Sequence, residues 1–238
     1  DDTATGSASA ESLDGGAGND TLIGGAGNDS LDGGDGADHF SFADGFGVDS
    51  VSGGAGDDQI DLSLVTTNLT LSGSTIFDGA NTVTFDTVES FTLGQGDDTA
   101  TGSASAESLD GGAGADSLDG GDGADTLSGG DDADSLLGNV GADSLLGGAG
   151  ADSLEGGADA DTLSGGAGAD SVYGGLGDDV FTVTTDYTDL IGDAIYGGDG
   201  NDTIAPGYSG GRLDVVYSGG DRSAGFATGR IGAPQGWP

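Results

Sequence analysis

The sequence predicts an all-β chain wound as a right-handed parallel β-roll, a β-helix-like solenoid. Three observations predict it: a nine-residue unit recurs, each unit carries one apolar residue at its eighth position, and the rest of the unit is rich in glycine. Read in nines, the chain gives GSASAESLD (6–14), GGAGNDTLI (15–23), GGAGNDSLD (24–32) and GGDGADHFS (33–41). Two extra residues precede DGFGVDSVS (44–52) and GGAGDDQID (53–61). The frame restarts with LGQGDDTAT (93–101) and GSASAESLD (102–110). It then runs unbroken from GGAGADSLD (111–119) to GGLGDDVFT (174–182) and closes with TDLIGDAIY (188–196) and GGDGNDTIA (197–205). Of these 18 units, 16 have Asp at position six and two have Glu, Glu11 and Glu107. Position eight is Leu, Ile, Val or Phe in all but one, Ala100.

Each element follows from the unit. Triplets such as TLI, SLD and HFS are too short for helices, and one apolar residue between two outward ones reads as a three-residue strand. GGxGxD is then the turn, because glycine reaches positive φ without steric cost. Two strands and two turns make an 18-residue coil. Stacked coils bury thin ladders of Leu13, Leu22, Leu31 and Phe40, and later of Leu109 to Phe181, so stability is a sum over neighbours. Residues 62–92 lack the repeat and tend to alternate at period two, as in Thr82-Val83-Thr84-Phe85, which predicts longer strands that continue the stack without ions or join two stacks. The organisation is therefore a first repeat block (1–61), a non-repeat strand segment (62–92), a second repeat block (93–205) and a tail (206–238). Residues 1–18 recur identically at 97–114.

Composition narrows the partners. The chain has 43 acidic residues, three arginines and no cysteine, for a net charge of −40. Residues 1–205 hold 41 of the acids and no Lys or Arg. Such a body repels nucleic acid and anionic membrane, and calls for cationic counter-charge. Disulfides and thiolate metal sites are absent, and no apolar run is long enough to insert in a membrane. The chain begins at Asp1 without an initiating Met or a signal-peptide pattern, which predicts a processed chain or part of a longer one.

The turn carries the chemistry. Backbone carbonyls and an Asp carboxylate form a hard, all-oxygen donor set in a flexible loop, which suits calcium; magnesium demands a tighter octahedron, and zinc wants His or Cys. Coils stack about 4.8 Å apart, so an ion between two turns on one edge takes an Asp from unit n and another from unit n+2. Asp20 is thus expected to pair through calcium with Asp38, not with Asp29. The candidate ligands are Asp20, Asp29, Asp38, Asp49, Asp58, Asp98, Asp116, Asp125, Asp134, Asp143, Asp152, Asp161, Asp170, Asp179, Asp193 and Asp202. Counting the gaps in each unbroken block gives a minimum of about nine calcium ions, and the Asp-bearing units set a ceiling of about sixteen. Without them the Asp columns repel, and the metal-free chain is expected to be disordered and to fold on binding calcium.

GGAGNDTLI, GGDGADTLS and GGDGNDTIA resemble the RTX, or haemolysin-type calcium-binding, nonapeptide GGxGxDxUx. The resemblance implies a parallel β-roll with calcium between coils, type I secretion from a Gram-negative bacterium, and folding outside the cell or at its surface. NTVTFDTVESFTL resembles strands that interrupt such arrays in large RTX proteins. Three units depart from the pattern: Asn139 stands for the second glycine, and Asp132 and Asp159 for the third. Asp and Asn tolerate left-handed backbone, so distorted turns are expected there. Glu11 and Glu107 are one methylene longer, which weakens the case for ligation.

The remaining candidates read as non-catalytic. His39, at position seven, is expected to face solvent. The acid pairs Asp57-Asp58, Asp97-Asp98 and Asp178-Asp179 fall in the repeat frame and read as calcium-site residues rather than glycosidase acids. The tail holds Arg212, Arg222, Arg230 and Trp237 and reads as a cap or a docking element. The favoured function is a non-enzymatic extracellular structural protein: a surface layer, filament or adhesin-like roll whose partners are calcium, other copies end to end, or cell-surface components. The alternative is the C-terminal folding and secretion module of an RTX exoenzyme or toxin.

Overall fold

The computed structural model describes residues 1–182 and 193–205. The tail from Pro206, with its cap or docking reading, lies outside them. The described chain contains 23 strands and no helix, arranged as two facing sheets of 11 and 12 strands. Outside the middle segment successive strands alternate between the sheets and every pairing is parallel. In the first sheet Leu109 pairs with Leu127, Leu127 with Leu145, and Leu145 with Leu163. In the second, Leu118 pairs with Leu136 and Leu136 with Leu154. The chain is a parallel β-solenoid.

The core is the position-eight ladder seen from both sheets. Leu22, Phe40, Ile60, Phe91, Leu109 and Leu127 point in from one side, and Leu31, Val51, Leu118, Leu136 and Leu154 from the other, all buried. Ala100 is buried at the same position, next to Leu71 and Leu118. The unit places one large apolar side chain per half coil, so the core is one layer from each sheet.

The strands are longer than the predicted triplet. Ser108–Ala113, Ser117–Asp122 and Ser153–Ala158 each run six residues, through both glycines. Their burial alternates past the leucine, so the first glycine of the turn is a second inward-facing strand position. Glycine is needed there because a Cβ on Gly15 would stand 2.7 Å from Asp20 Oδ2 and 2.7 Å from the carbonyl of Gly33 one coil on. The true turn is the shorter xGxD. At the variant turns Asp132 and Asp159 adopt φ of 75° and 79°, where the third glycines Gly36 and Gly123 reach about 140°, and Asn139 adopts 78°, where its paired glycines Gly121 and Gly157 stand at 99° and 119°; all three lie inside the left-handed region. Register survives: Asn139 pairs with Gly121 and Gly157, and Asp131 with Ala149.

Residues 62–92 lie within the stack. Thr82–Asp86 extends the second sheet in parallel from Val48–Ala55. Thr75–Phe77 and Thr70–Ser72 then follow in antiparallel order, and Thr70–Ser72 runs parallel to Thr99–Thr101. The expected long strands are instead three short ones, because Gly73, at φ 58°, and Asp78-Gly79 turn the chain twice. On the opposite side Ser90–Thr92 bridges Gln59–Leu64 and Ser108–Ala113 in parallel. The core widens here: Phe42, Phe46, Leu62, Val65, Leu69, Ile76 and Leu93 are all buried.

A one-layer core makes each leucine costly to lose. Leu136→Ala, at a site 1% exposed, is expected to lower stability by about 2–5 kcal/mol in denaturant melts of the calcium-loaded protein. Leu146→Ala, at a site 46% exposed, is expected to change it by about 0.5 kcal/mol or less.

Candidate calcium sites

Two columns of carboxylates run along the edges of the roll. On the edge that leads into the first sheet, the Asp20 N–H donates to Asp38 Oδ1 at 2.8 Å, and the Asp38 N–H to Asp58 Oδ1 at 2.8 Å. The same bond links Asp125 to Asp143, Asp143 to Asp161, and Asp161 to Asp179, at 2.8, 2.9 and 3.0 Å. Asp179 donates to Asp202 at 3.2 Å. On the other edge the bond links Asp29 to Asp49, Asp98 to Asp116, Asp116 to Asp134, Asp134 to Asp152, Asp152 to Asp170, and Asp170 to Asp193. Asp20 therefore neighbours Asp38, one coil away, while Asp29 lies on the opposite edge.

Each such Asp spends Oδ1 on its neighbour's main chain. Oδ2 of Asp20, Asp29, Asp38, Asp49, Asp58, Asp116, Asp125, Asp134, Asp143, Asp152, Asp161 and Asp179 is buried and has no hydrogen-bond partner. An unpartnered buried carboxylate oxygen is expensive. Burial accordingly pushes the carboxyls of Asp116 and Asp161 up to about 7, and those of Asp49 and Asp152 up to about 6. Asp58, Asp98, Asp125, Asp134, Asp143 and Asp179 are raised by the same cause.

These residues fit calcium. Among the described residues no three His, Cys, Asp or Glu side chains converge on one point. The other oxygens must then be main-chain carbonyls, such as that of Gly33 above Gly15. A donor set made only of carboxylate and carbonyl oxygen, on an edge of one charge sign, suits Ca²⁺. Bound there, calcium would satisfy the orphaned Oδ2 atoms and screen the columns.

Several positions depart from the rule. Asp98 has both oxygens engaged, by the N–H groups of Leu69 at 2.6 Å and Gly94 at 3.0 Å. Asp193 is buried and Asp202 half-buried, at the last coil described. In the GSASAE turns the carboxylate folds onto its own loop. Glu11 accepts from the Ser7 hydroxyl at 2.5 Å and from its N–H at 3.1 Å, which holds its carboxyl below the usual range. Glu107 accepts the same two bonds from Ser103. These turns meet their own charge with hydroxyl and amide donors. The identical segments also fall on opposite sides: Ser12–Ala17 is in the second sheet and Ser108–Ala113 in the first. His39 lies on the outer face with Nε2 3.4 Å from Asp61 Oδ2.

One column residue escaped the sequence reading. Glu89 accepts the Asp58 N–H through Oε2 at 3.0 Å. Its triplet Glu89-Ser90-Phe91 stands 18 residues before Glu107-Ser108-Leu109, a spacing that could have revealed it.

Fold and site together define a calcium-binding β-roll built on nonapeptide repeats. The family model described as RTX calcium-binding nonapeptide repeat (4 copies) matches residues 2–40, 41–64, 89–118, 110–145, 119–154, 146–181 and 192–207, and the chain belongs to that family. Its repeats bind calcium and are typical of secreted bacterial proteins. No described helix is long and apolar enough to cross a membrane. Among solved structures, a hyperactive, Ca²⁺-dependent, β-helical antifreeze protein from an Antarctic bacterium is 23% identical with a TM-score of 0.28, over 86% of this chain and 65% of its own. The extracellular lipase LipA from Serratia marcescens is also 23% identical with a TM-score of 0.28, over 74% of this chain and 33% of its own. This chain thus spans just under two thirds of the one and a third of the other. A comparison with curated proteins finds no match.

Asp143 sits mid-column with an unpartnered Oδ2. Asp143→Asn is expected to weaken calcium binding by about tenfold or more at that edge, read by isothermal titration, whereas exposed Asp131→Asn leaves it within about twofold. Protons compete with the ions. A carboxyl raised from 3.8 to about 7, as at Asp116, stabilises the metal-free fold fully below 3.8, and that stabilisation is lost as pH rises through 7. In chelator, strand circular dichroism should therefore be stronger near about pH 4 than near about pH 8, and half-saturation should need more calcium as pH falls below about 7.

Proposed function

We propose that this chain is a non-enzymatic, extracellular structural element, a β-roll that folds and stiffens on calcium and serves in a surface layer, adhesin stalk or filament. The observation that carries the reading is the pair of buried carboxylate columns, whose unpartnered oxygens make the folded stack depend on bound cation. The scarcity of calcium inside cells would then keep the chain unfolded until export, after which the medium supplies the ions. In this reading the ligands are the sixteen aspartates of the repeat frame, and about nine to sixteen ions bind.

One feature supports a structural role over catalysis. The buried titratable groups of the described residues belong to the columns, so the machinery is spent on the fold itself. In this reading copies associate end to end, coil upon coil, a head-to-tail contact that propagates rather than closes.

Circular dichroism at about pH 8 with calcium and with chelator tests the folding claim; strand signal that survives chelation would refute it. Electron microscopy of the calcium-loaded chain tests assembly. Ordered fibres or lattices are expected, and monodisperse monomers would overturn the assembly reading in favour of a folding and secretion module.

A further inference from the structure

The family match ends at residue 64 and resumes at 89, yet the carboxylate edge continues across that gap. Asp58 is fully buried at 0% exposure, and its Oδ2 has no hydrogen-bond partner. In a regular coil such an aspartate has two attendants in the next coil. For Asp20 these are Asp38, which accepts its N–H, and the carbonyl of Gly33, which lines the space above Gly15 together with Asp20 Oδ2.

At Asp58 both places are filled by residues outside any glycine-rich turn. Glu89 Oε2 accepts the Asp58 N–H at 3.0 Å, and the Glu89 N–H donates back to the Asp58 carbonyl at 3.3 Å. The space above Gly53 is lined by Asp58 Oδ2 and the carbonyl of Thr87, both too close for any Cβ. Thr87 delivers that carbonyl from φ 49°, a left-handed conformation that β-branched residues rarely hold. Its hydroxyl accepts the Gly54 N–H at 2.8 Å, which fixes the loop against the turn. A buried, unpartnered carboxylate oxygen, a strained carbonyl aimed beside it and a second carboxylate in the next coil thus meet at one place.

We propose that Asp58, the Thr87 carbonyl and Glu89 form a calcium site that joins the first repeat block to the inserted strands. The proposal rests on the calcium reading of the columns and extends it to the Thr87 carbonyl, in the stretch the family match leaves out, and to Glu89, where the match resumes. The donors are all hard oxygens, two of them carboxylates, which selects Ca²⁺ over softer metals. Glu89 carries the second charge, because its Oε2 is held by the main chain while its other oxygen is left for the ion. The site would tie the two repeat blocks into one cooperative unit.

Native mass spectrometry of the full chain, which counts bound ions, tests this. At equal free calcium, Glu89→Gln should carry one ion fewer than the wild type, while Glu155→Gln, an exposed charge change on the outer face, should carry the same number. Anomalous diffraction from wild-type crystals grown in calcium gives a test independent of the variant's folding. A peak touching Asp58, Thr87 and Glu89 supports the site. Equal ion counts for Glu89→Gln and wild type, or filled columns with no peak shared by Asp58, Thr87 and Glu89, would overturn it alone. A wild type that binds no calcium at all would overturn the calcium reading with it.

Discussion

The fold depends on a carboxylate shared between coils. Each aspartate gives one oxygen to the main chain of its neighbour, and that bond repeats at the stacking period along both edges. The bond orders the turns, but it also draws the carboxylates into line and buries them. Like charges at that spacing repel, and burial strips their water. The core cannot outweigh this with depth, since each half coil contributes one large apolar side chain. In the proposed reading counter-ions at the edges are therefore part of the fold rather than an addition to it, and burial raises the carboxyls of Asp116 and Asp161.

The middle of the stack meets the same problem differently. On the edge leading into the second sheet, Val83 pairs with Asp49, and Leu69 donates to Asp98 where an aspartate would otherwise stand. Both are buried hydrophobic residues, so the column of buried carboxylates is interrupted there, and the nearby Asp78 is held in its own turn by the N–H groups of Ala80 and Asn81. Larger side chains, Phe42, Phe46, Leu62 and Ile76, thicken the core alongside. Apolar burial takes over where ligation lapses, and the stack stays continuous through the change.

The sequence made the coil legible because period, apolar position and acid position all agree, as in Asp116-Ser117-Leu118. It did not reveal that the strand runs on through Gly111, because an inward-facing glycine leaves no hydrophobic mark; its role shows only when Asp116 Oδ2 is seen where the Cβ would be. The antiparallel detour over 70–86 was hidden for a similar reason. Alternation at period two marks strands but not their direction, and Gly73 and Gly79 were the available hints that the chain turns. Among the column residues, the aspartates were readable from spacing alone. Glu89 was harder to see, because its unit, TFDTVESFT, lacks every glycine that flags the others and only its 18-residue distance from Glu107 marks it.

The two identical segments at 1–18 and 97–114 lie in opposite sheets. The same residues therefore build either side of the roll, and neither side has a sequence of its own. The two faces are interchangeable at the level of nine residues, so the unit of inheritance can be the half coil. Recombination between misaligned repeats could lengthen or shorten such an array by an odd number of units and still leave each later strand a place in one sheet or the other. A roll of this kind can change its reach in small steps without redesign, and its length is free to follow whatever distance it is required to span.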